Sequence, residues 1–315
     1  MELRQLRYFV AIVDSGSLSR AAALVHIVQP ALSQQMTQLE DELGVQLLQR
    51  SVKGVTPTDA GLALYRHAQH ILKLAAETRN VVRATASEIN GRVKLGLPSS
   101  IAMVLVGPLI AALEERFPQV SLEIHESPSA YLAAQLLNER VDLSVLVDDA
   151  AMPGIECVPL VDEYLYFVQP RKAALLRCGR SVALSALAQV PLMLTTHATT
   201  LRRIVDGAFA EAGVAPLIKG EASSIQTVLS MVAQGGAGTI VPHSALAWHA
   251  ASQWLRQTVI EPRLVRCASL AHSRLNPLSP ASACVRAVVR DVAAQLVQTR
   301  QWDGARLPPP APQRS

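Results

Sequence analysis

Residues 30–43, PALSQQMTQLEDEL, carry the pattern that decides the fold. At about 100° per residue, Leu32, Met36, Leu39 and Leu43 fall on one stripe of a helix. Pro30, Ser33, Gln34 and Thr37 fall on the opposite face. Proline can open a helix because the N–H it lacks is not needed in the first turn, and Gly44 is placed to end it. The stripe reads as core, with Met36 and Leu39 at its centre. The opposite face is polar and nearly uncharged, a composition suited to hydrogen-bonding the edges of bases.

Working outward, Leu3, Leu6, Phe9, Val10 and Val13 recur at helical spacing until Gly16. Ser17 is placed to cap a second helix, Leu18 to about Leu24. On the other side, VQLLQRSVKGVTPT (45–58) alternates around Gly54 like a small β-hairpin, which we read as a wing. Thr58 caps a long helix expected to run to about Ile89. Its Leu64, Ala68, Ile71, Ala75, Val82 and Ile89 form a seam that predicts a dimer contact, the alternative being packing on its own domain. Glu40, Asp41 and Glu42 are expected to be a solvated helix end that repels phosphates and so orients the domain.

Beyond Gly91 strands alternate with helices. VKLGL, SLEIHE and DLSVLV read as strands separated by helices at 100–116 and 130–138. A second set follows, with strands YLYFV, PLMLT, LIKGE and GTIVP and helices at 201–212 and 225–234. CASL and an amphipathic helix over 281–299 close the series, and the tail ARLPPPAPQRS is Pro-rich and expected to be disordered. Such alternation implies βαβ units and parallel sheet. The fold class is thus an α+β winged helix-turn-helix, a long linker helix and a two-lobed α/β domain of the periplasmic-binding-protein kind. The expected boundaries are 1–58 for the winged helix-turn-helix and 59–90 for the linker helix. Lobe 1 takes 91–161 plus 267–300, lobe 2 takes 162–266, and 301–315 is a flexible tail.

Composition narrows the function. The 315 residues are 50% apolar and 17% charged, too apolar for disorder. The net charge is +4, yet residues 1–60 hold Arg4, Arg7, Arg20, Arg50 and Lys53 against Glu2, Asp14, Glu40, Asp41, Glu42 and Asp59. A phosphate-driven, sequence-blind DNA binder would be more basic, so reading by shape and a few placed donors is expected. Cys157, Cys178, Cys267 and Cys284 lack CxxC spacing and predict neither zinc nor a disulfide framework, which suits the cytoplasm. The N-terminus lacks signal-peptide architecture, and no apolar run suits a membrane span.

The elements GSLSRAA, QPALSQQ, LEDELGVQLL and TPTDAG occur in order across residues 3–61, and this segment resembles the N-terminal domain of LysR-type transcriptional regulators. VHIVQPALSQQ, KGVTPTDAG and the late RQW (300–302) are similar to the nitrogen assimilation control branch of that family. The resemblance implies a dimer of dimers binding double-stranded promoter DNA, with RNA polymerase as a further partner. It places Gln29, Pro30, Ser33 and Gln34 at positions that face DNA, joined by Thr37 on the same helix face, while Arg50 and Lys53 of the wing supply cationic contacts. Gln34 can pair with adenine, Ser33 can bond a base or phosphate, and the Pro30 ring can touch a thymine methyl. Relatives often carry Arg where this chain has Gln34 or Gln35, so guanine reading there is not implied.

In the same family the effector sits between the two lobes. Ser99 and Ser100 follow the first strand and open a helix, Ser129 opens the next, and Thr195, Thr196 and His197 end a strand of the second lobe. As plain helix caps they would look the same. This set is hydroxyl-rich, with no charged clamp beyond His197, Arg202 or Arg203, and the nitrogen branch allows that no effector is needed. A weak or absent ligand response is therefore predicted. The alternatives are a solute-binding module with an accessory helical domain, or an enzyme. The chain shows no GxSxG, P-loop, GxGxxG after a strand, or HExxH, and no cofactor is expected.

Overall fold

A computed structural model describes residues 1–51, 54–83, 89–147, 152–172, 174–177, 179–275 and 277–309. Contacts divide the chain into two compact units, Met1–Glu88 and Ile89–Ser315.

The first unit contains α1 (Leu3–Ser15), α2 (Leu18–Leu24), α3 (Gln29–Leu43), β1 (Leu48–Ser51), β2 (Gly54–Pro57) and α4 (Asp59–Arg83). Ser17 caps α2 by accepting from the Arg20 N–H, and Gly16 and Gly44 end α1 and α3 in the left-handed conformation. Leu32, Met36 and Leu39 pack with Phe9, Ile12, Leu18, Ala21, Leu47 and Val55 in one core. The strands pair antiparallel from Leu48↔Pro57 to Ser51↔Gly54. Two glycines are there for space. A Cβ on Gly54 would lie 2.7 Å from the Gly16 carbonyl oxygen, and one on Gly61 would lie 2.1 Å from that of Leu47. The wing and α4 can close on the helices only because both positions lack a side chain.

The seam of α4 is corrected in part. Ala68 is fully buried within the unit and Leu64 packs against its core, because α1 lies along the start of α4. Ile71, further on, is exposed, and the Val82 side chain lies outside the described residues. The acidic helix end is also corrected. Glu40 is no solvated charge, since its Oε1 accepts the N–H groups of Leu47 (2.8 Å) and Leu48 (3.1 Å) and ties α3 to the wing.

The second unit runs β3 (Gly91–Leu97), α5 (Ser99–Arg116), β4 (Val120–Glu126), α6 (Ser129–Leu137), β5 (Leu143–Val147), β6 (Ile155–Pro170) and β7 (Ser181–Ala183). It continues with β8 (Leu192–Thr195), α7 (Thr200–Glu211), β9 (Ile218–Ala222), α8 (Ile225–Ala233) and β10 (Thr239–Pro242). β11 (Leu255–Glu261), β12 (Val265–Ser273), α9 (Pro280–Gln298) and β13 (Ala305–Arg306) complete it. β3 pairs parallel with β4 and β5, as alternation with helices requires, whereas β12 returns antiparallel to β5 and β6. β8 and β9 form a separate parallel pair.

The sequence reading divided strand β6, seeing only YLYFV. It is one strand whose Leu160 and Val161 enter the first lobe's core and whose Leu165, Phe167 and Val168 enter the second's. β6 therefore crosses from lobe to lobe, and the chain returns beside it between Leu264, in the second core, and β12, whose Ala268 and Leu270 enter the first. The flexible tail is corrected where it is described, up to Pro309, while 310–315 lie outside the described residues. Trp302 is 1% exposed in the first lobe's core, and β13 pairs with β6 at Ala305↔Glu163 and Arg306↔Asp162. A buried indole outweighs the local Pro-rich composition. No helix among the described residues is long and apolar enough to cross a membrane.

Candidate functional site

Two features can do chemistry, one in each unit. On α3 the buried stripe leaves Gln29, Pro30, Gln34 and Thr37 exposed and Ser33 half-buried on the opposite face. Gln29 Oε1 accepts from Ser19 Oγ of α2 (2.9 Å), which steadies one end of the face. Thr37 Oγ1 donates to the Ser33 carbonyl (3.2 Å), so its proton is used inside the helix and its lone pairs remain for a partner. The Arg50 backbone pairs with Val55 in the wing, while the Arg50 side chain and Lys53 lie outside the described residues.

In the second unit a cavity of about 230 Å³ opens where helix N-termini meet. α5 and α6 of the first lobe bring Ser99, Ser100 and Ser129, and α7 and α8 of the second bring Thr199, Thr200 and Ser224, with Thr195 at the end of β8. The two walls differ. α7 and α8 are capped by their own Thr199 and Ser224 hydroxyls. α5 and α6 start after Pro98 and Pro128, which offer no capping side chain, and leave first-turn N–H groups for an anion. Ser129 Oγ accepts the Val147 N–H (3.0 Å), and Thr195 and Thr199 hydroxyls bond each other (2.7 Å).

Of the expected effector residues, the structure brings Ser99, Ser100, Ser129 and Thr195 together and leaves out Thr196 and His197. Thr196 turns its backbone to Ala222 and Thr199. The His197 side chain is 71% exposed and faces Asp206 (3.3 Å) and Glu221 (3.7 Å). Arg202 is no clamp either. It is buried, donating Nε to Asp206 Oδ1 (2.7 Å), Nη1 to Glu221 and the Thr195 carbonyl, and facing His197 through Nη2 (3.0 Å). Burial works against its charge, but hydrogen bonds to Asp206 and Glu221 outweigh this and hold the guanidinium above its ordinary pKa. In return the Arg202 hydrogen bond, against burial, keeps the Glu221 carboxyl below the ordinary carboxylate range.

Two charged groups line the cavity, the exposed Glu126 and the buried Arg266, which the sequence reading missed. Arg266 donates Nη2 to Ser100 Oγ (2.8 Å) and is paired with Glu163 Oε2 through Nε (2.8 Å) and Nη2 (2.5 Å). The other Glu163 oxygen accepts Trp302 Nε1 (3.0 Å). Only the pairing of β12 with β6 brings these distant residues together. The available signal was a lone arginine at the head of a strand that carries no other Lys, Arg, Asp or Glu.

A winged helix-turn-helix whose third helix turns an uncharged polar face outward, followed by a two-lobed α/β unit with a hydroxyl-lined cavity, is the layout of a DNA-binding regulator with a small-molecule domain. Comparison with known families agrees. Residues 3–62 match "Bacterial regulatory helix-turn-helix protein, lysR family" and residues 86–294 match "LysR substrate binding domain". The chain belongs to the LysR family and is a LysR-type DNA-binding transcriptional regulator with an effector-binding domain. It is 34% identical to the nitrogen assimilation regulatory protein nac of Escherichia coli (strain K12) over 306 residues, covering 96% of this chain and 99% of that one. To nac of Klebsiella aerogenes it is 36% identical over 298 residues, 94% of this chain and 96% of that one. These two similarities support the branch expected from the sequence.

Among solved structures it resembles a full-length cysteine-to-aspartate variant of OxyR from Pseudomonas aeruginosa (TM-score 0.73, 27% identity, 93% of this chain and 94% of that one). It also resembles full-length CbnR complexed with its target DNA (TM-score 0.67, 26% identity, 93% of this chain and all of that one, 100%).

Proposed function

We propose that this regulator reads promoter DNA with Gln29, Pro30, Ser33, Gln34 and Thr37 of α3, steadied on the phosphate backbone by Arg50 and Lys53 of the wing. The observation that carries the reading is the division of α3. Leu32, Met36 and Leu39 of its apolar stripe are consumed by the core, with Leu43 at the end left exposed, and an uncharged row of amides, hydroxyls and a proline ring faces outward. Hydrogen-bonding side chains without a strong field discriminate bases more than they add affinity. Two heads per site, in a dimer of dimers joined through the linker segment 59–90, supply the affinity. RNA polymerase is the further partner and the cytoplasm the compartment.

In the sensor, with lobe 1 spanning 91–161 plus 267–306 and lobe 2 spanning 162–266, the cavity takes a small molecule. Its 230 Å³ falls below the ~300–1,000 Å³ of sites for drug-sized ligands. Ser99, Ser100, Ser129 and Thr195 are its polar contacts. Glu163 already neutralises Arg266, so an anion entering there gains little charge attraction and the response is weak. Calorimetry against small carboxylates and amino acids tests this. Micromolar binding that also shifts DNA occupancy would contradict it.

The DNA reading is tested by comparing wild type with the Ser33→Ala/Gln34→Ala double variant on duplexes selected from a random pool. The variant is expected to lose base preference at the α3 positions while keeping its salt dependence. Arg50→Ala is expected to weaken all sequences alike and flatten the salt slope.

A further inference from the structure

Most α-helices of the described chain begin with a side chain that satisfies the first turn. α1 has a Glu2–Gln5 capping box, and Ser17, Thr58, Thr199, Ser224 and Ser279 serve α2, α4, α7, α8 and α9. The exceptions are α5 and α6 at the cavity, and α3. The N-cap of α3 is Val28, whose side chain cannot accept a hydrogen bond and which is 69% exposed, while its neighbour Ile27 turns into the core. Ser, Thr, Asn or Asp there would strengthen the helix. An exposed β-branched side chain in place of a cap, next to Gln29 and Pro30, breaks two local rules at once, and such breaks concentrate where function requires them.

We infer that Val28 is a specificity-determining residue that reads a thymine through its C5-methyl group. The inference rests on the reading of α3 as the recognition helix. N-terminal residues of such a helix lie nearest the base edges, and the thymine methyl is the one apolar group displayed in the major groove. A valine offers it two methyls and no competing hydrogen bond. Polar residues at this position would instead satisfy the Gln29–Ala31 turn and be neutral toward the methyl.

The test uses the full chain and a duplex selected from a random pool, in which each thymine is replaced singly by deoxyuridine, removing only the methyl. Wild type is expected to lose about fourfold in affinity at one thymine per half-site, the value of burying one methyl group. Val28→Ala and Val28→Ser, which lack both γ-methyls, are expected to bind the thymine and uracil duplexes alike there, with an unchanged salt slope. Val28→Ser should in addition slow amide exchange in the first turn of α3 by about fivefold, showing that the cap was forgone.

The inference is overturned if Val28→Ala keeps every thymine sensitivity of wild type, or if the sensitivity vanishes in Pro30→Ala instead. The Ser33→Ala/Gln34→Ala variant separates the two readings. If it shifts base preference while Val28→Ala leaves methyl sensitivity intact, only Val28's role falls. If it shifts nothing, the recognition-helix reading falls with it.

Discussion

Replacing Glu163 with glutamine probes the junction of the sensor lobes directly. Glu163 and Arg266 side chains are 2% and 3% exposed, and the carboxylate receives two guanidinium donors on one oxygen and the Trp302 indole on the other. Glutamine keeps the shape and one carbonyl acceptor for Trp302, so no cavity forms and the indole stays bonded. What remains is a buried guanidinium whose other side-chain partners, Ser100 and Ser244, are neutral.

Removing one member of a buried pair costs about 3–5 kcal/mol. At a urea slope of ~2 kcal/mol/M this lowers the unfolding midpoint by about 1.5–2.5 M. Alanine costs ~1–3 kcal/mol more, since Trp302 Nε1 is then left without its acceptor. The double variant Glu163→Gln/Arg266→Met should cost less than the two single changes summed, by ~0.5–3 kcal/mol. Tryptophan fluorescence of the full chain follows the transition, because Trp302 is buried whereas Trp248 and Trp254 are 76% and 53% exposed. A midpoint shift under about 0.5 M for Glu163→Gln would show that the pair is solvated, and would refute the argument.

Three further outcomes follow from the same structure. Trp302→Ala should destabilise the second unit by ~3–5 kcal/mol, whereas Leu307→Ala, at an exposed site, should stay within ~0.5 kcal/mol, both read by urea unfolding. Gly61→Ala forces a Cβ to 2.1 Å from the Leu47 carbonyl oxygen, a backbone atom that cannot swing aside. A cost of ~2 kcal/mol or more and a loss of amide-exchange protection in the wing are expected. Glu221, held low by Arg202, contributes stability that is full above its ordinary 4.5 and drains away as pH falls toward its depressed native value. Glu221→Gln should therefore flatten the urea-midpoint curve below that pH, and a slope equal to wild type there would contradict the pairing.

Legibility of the fold follows the range of the forces involved. The helices of the first unit are local, written in the spacing of Leu32, Met36 and Leu39 and in stop signals at Gly16 and Gly44. Ser17 and Thr58 announced themselves as caps for the same reason. The hydroxyls at Ser99, Ser100, Ser129 and Thr195 were readable because strand ends and helix starts mark a cavity rim in such sheets. Arg266, Glu163 and Trp302 were not, since their meeting depends on how β6 and β12 pair. His197 looked like a ligand group by its position after β8, but a buried arginine with two carboxylates draws it away. Glu40 looked solvated because composition is blind to two backbone amides arriving from the wing.

The central claim, that the uncharged face of α3 selects the promoter sequence, is tested most directly by one binding measurement. Full-length wild type and the Ser33→Ala/Gln34→Ala variant are titrated at physiological salt against a selected duplex and a scrambled one. Wild type is predicted to favour the selected duplex by ~10³-fold or more, and the variant to show that preference reduced by ~1–3 kcal/mol for each base-edge hydrogen bond it can no longer make. Equal preference in the two proteins would contradict the account.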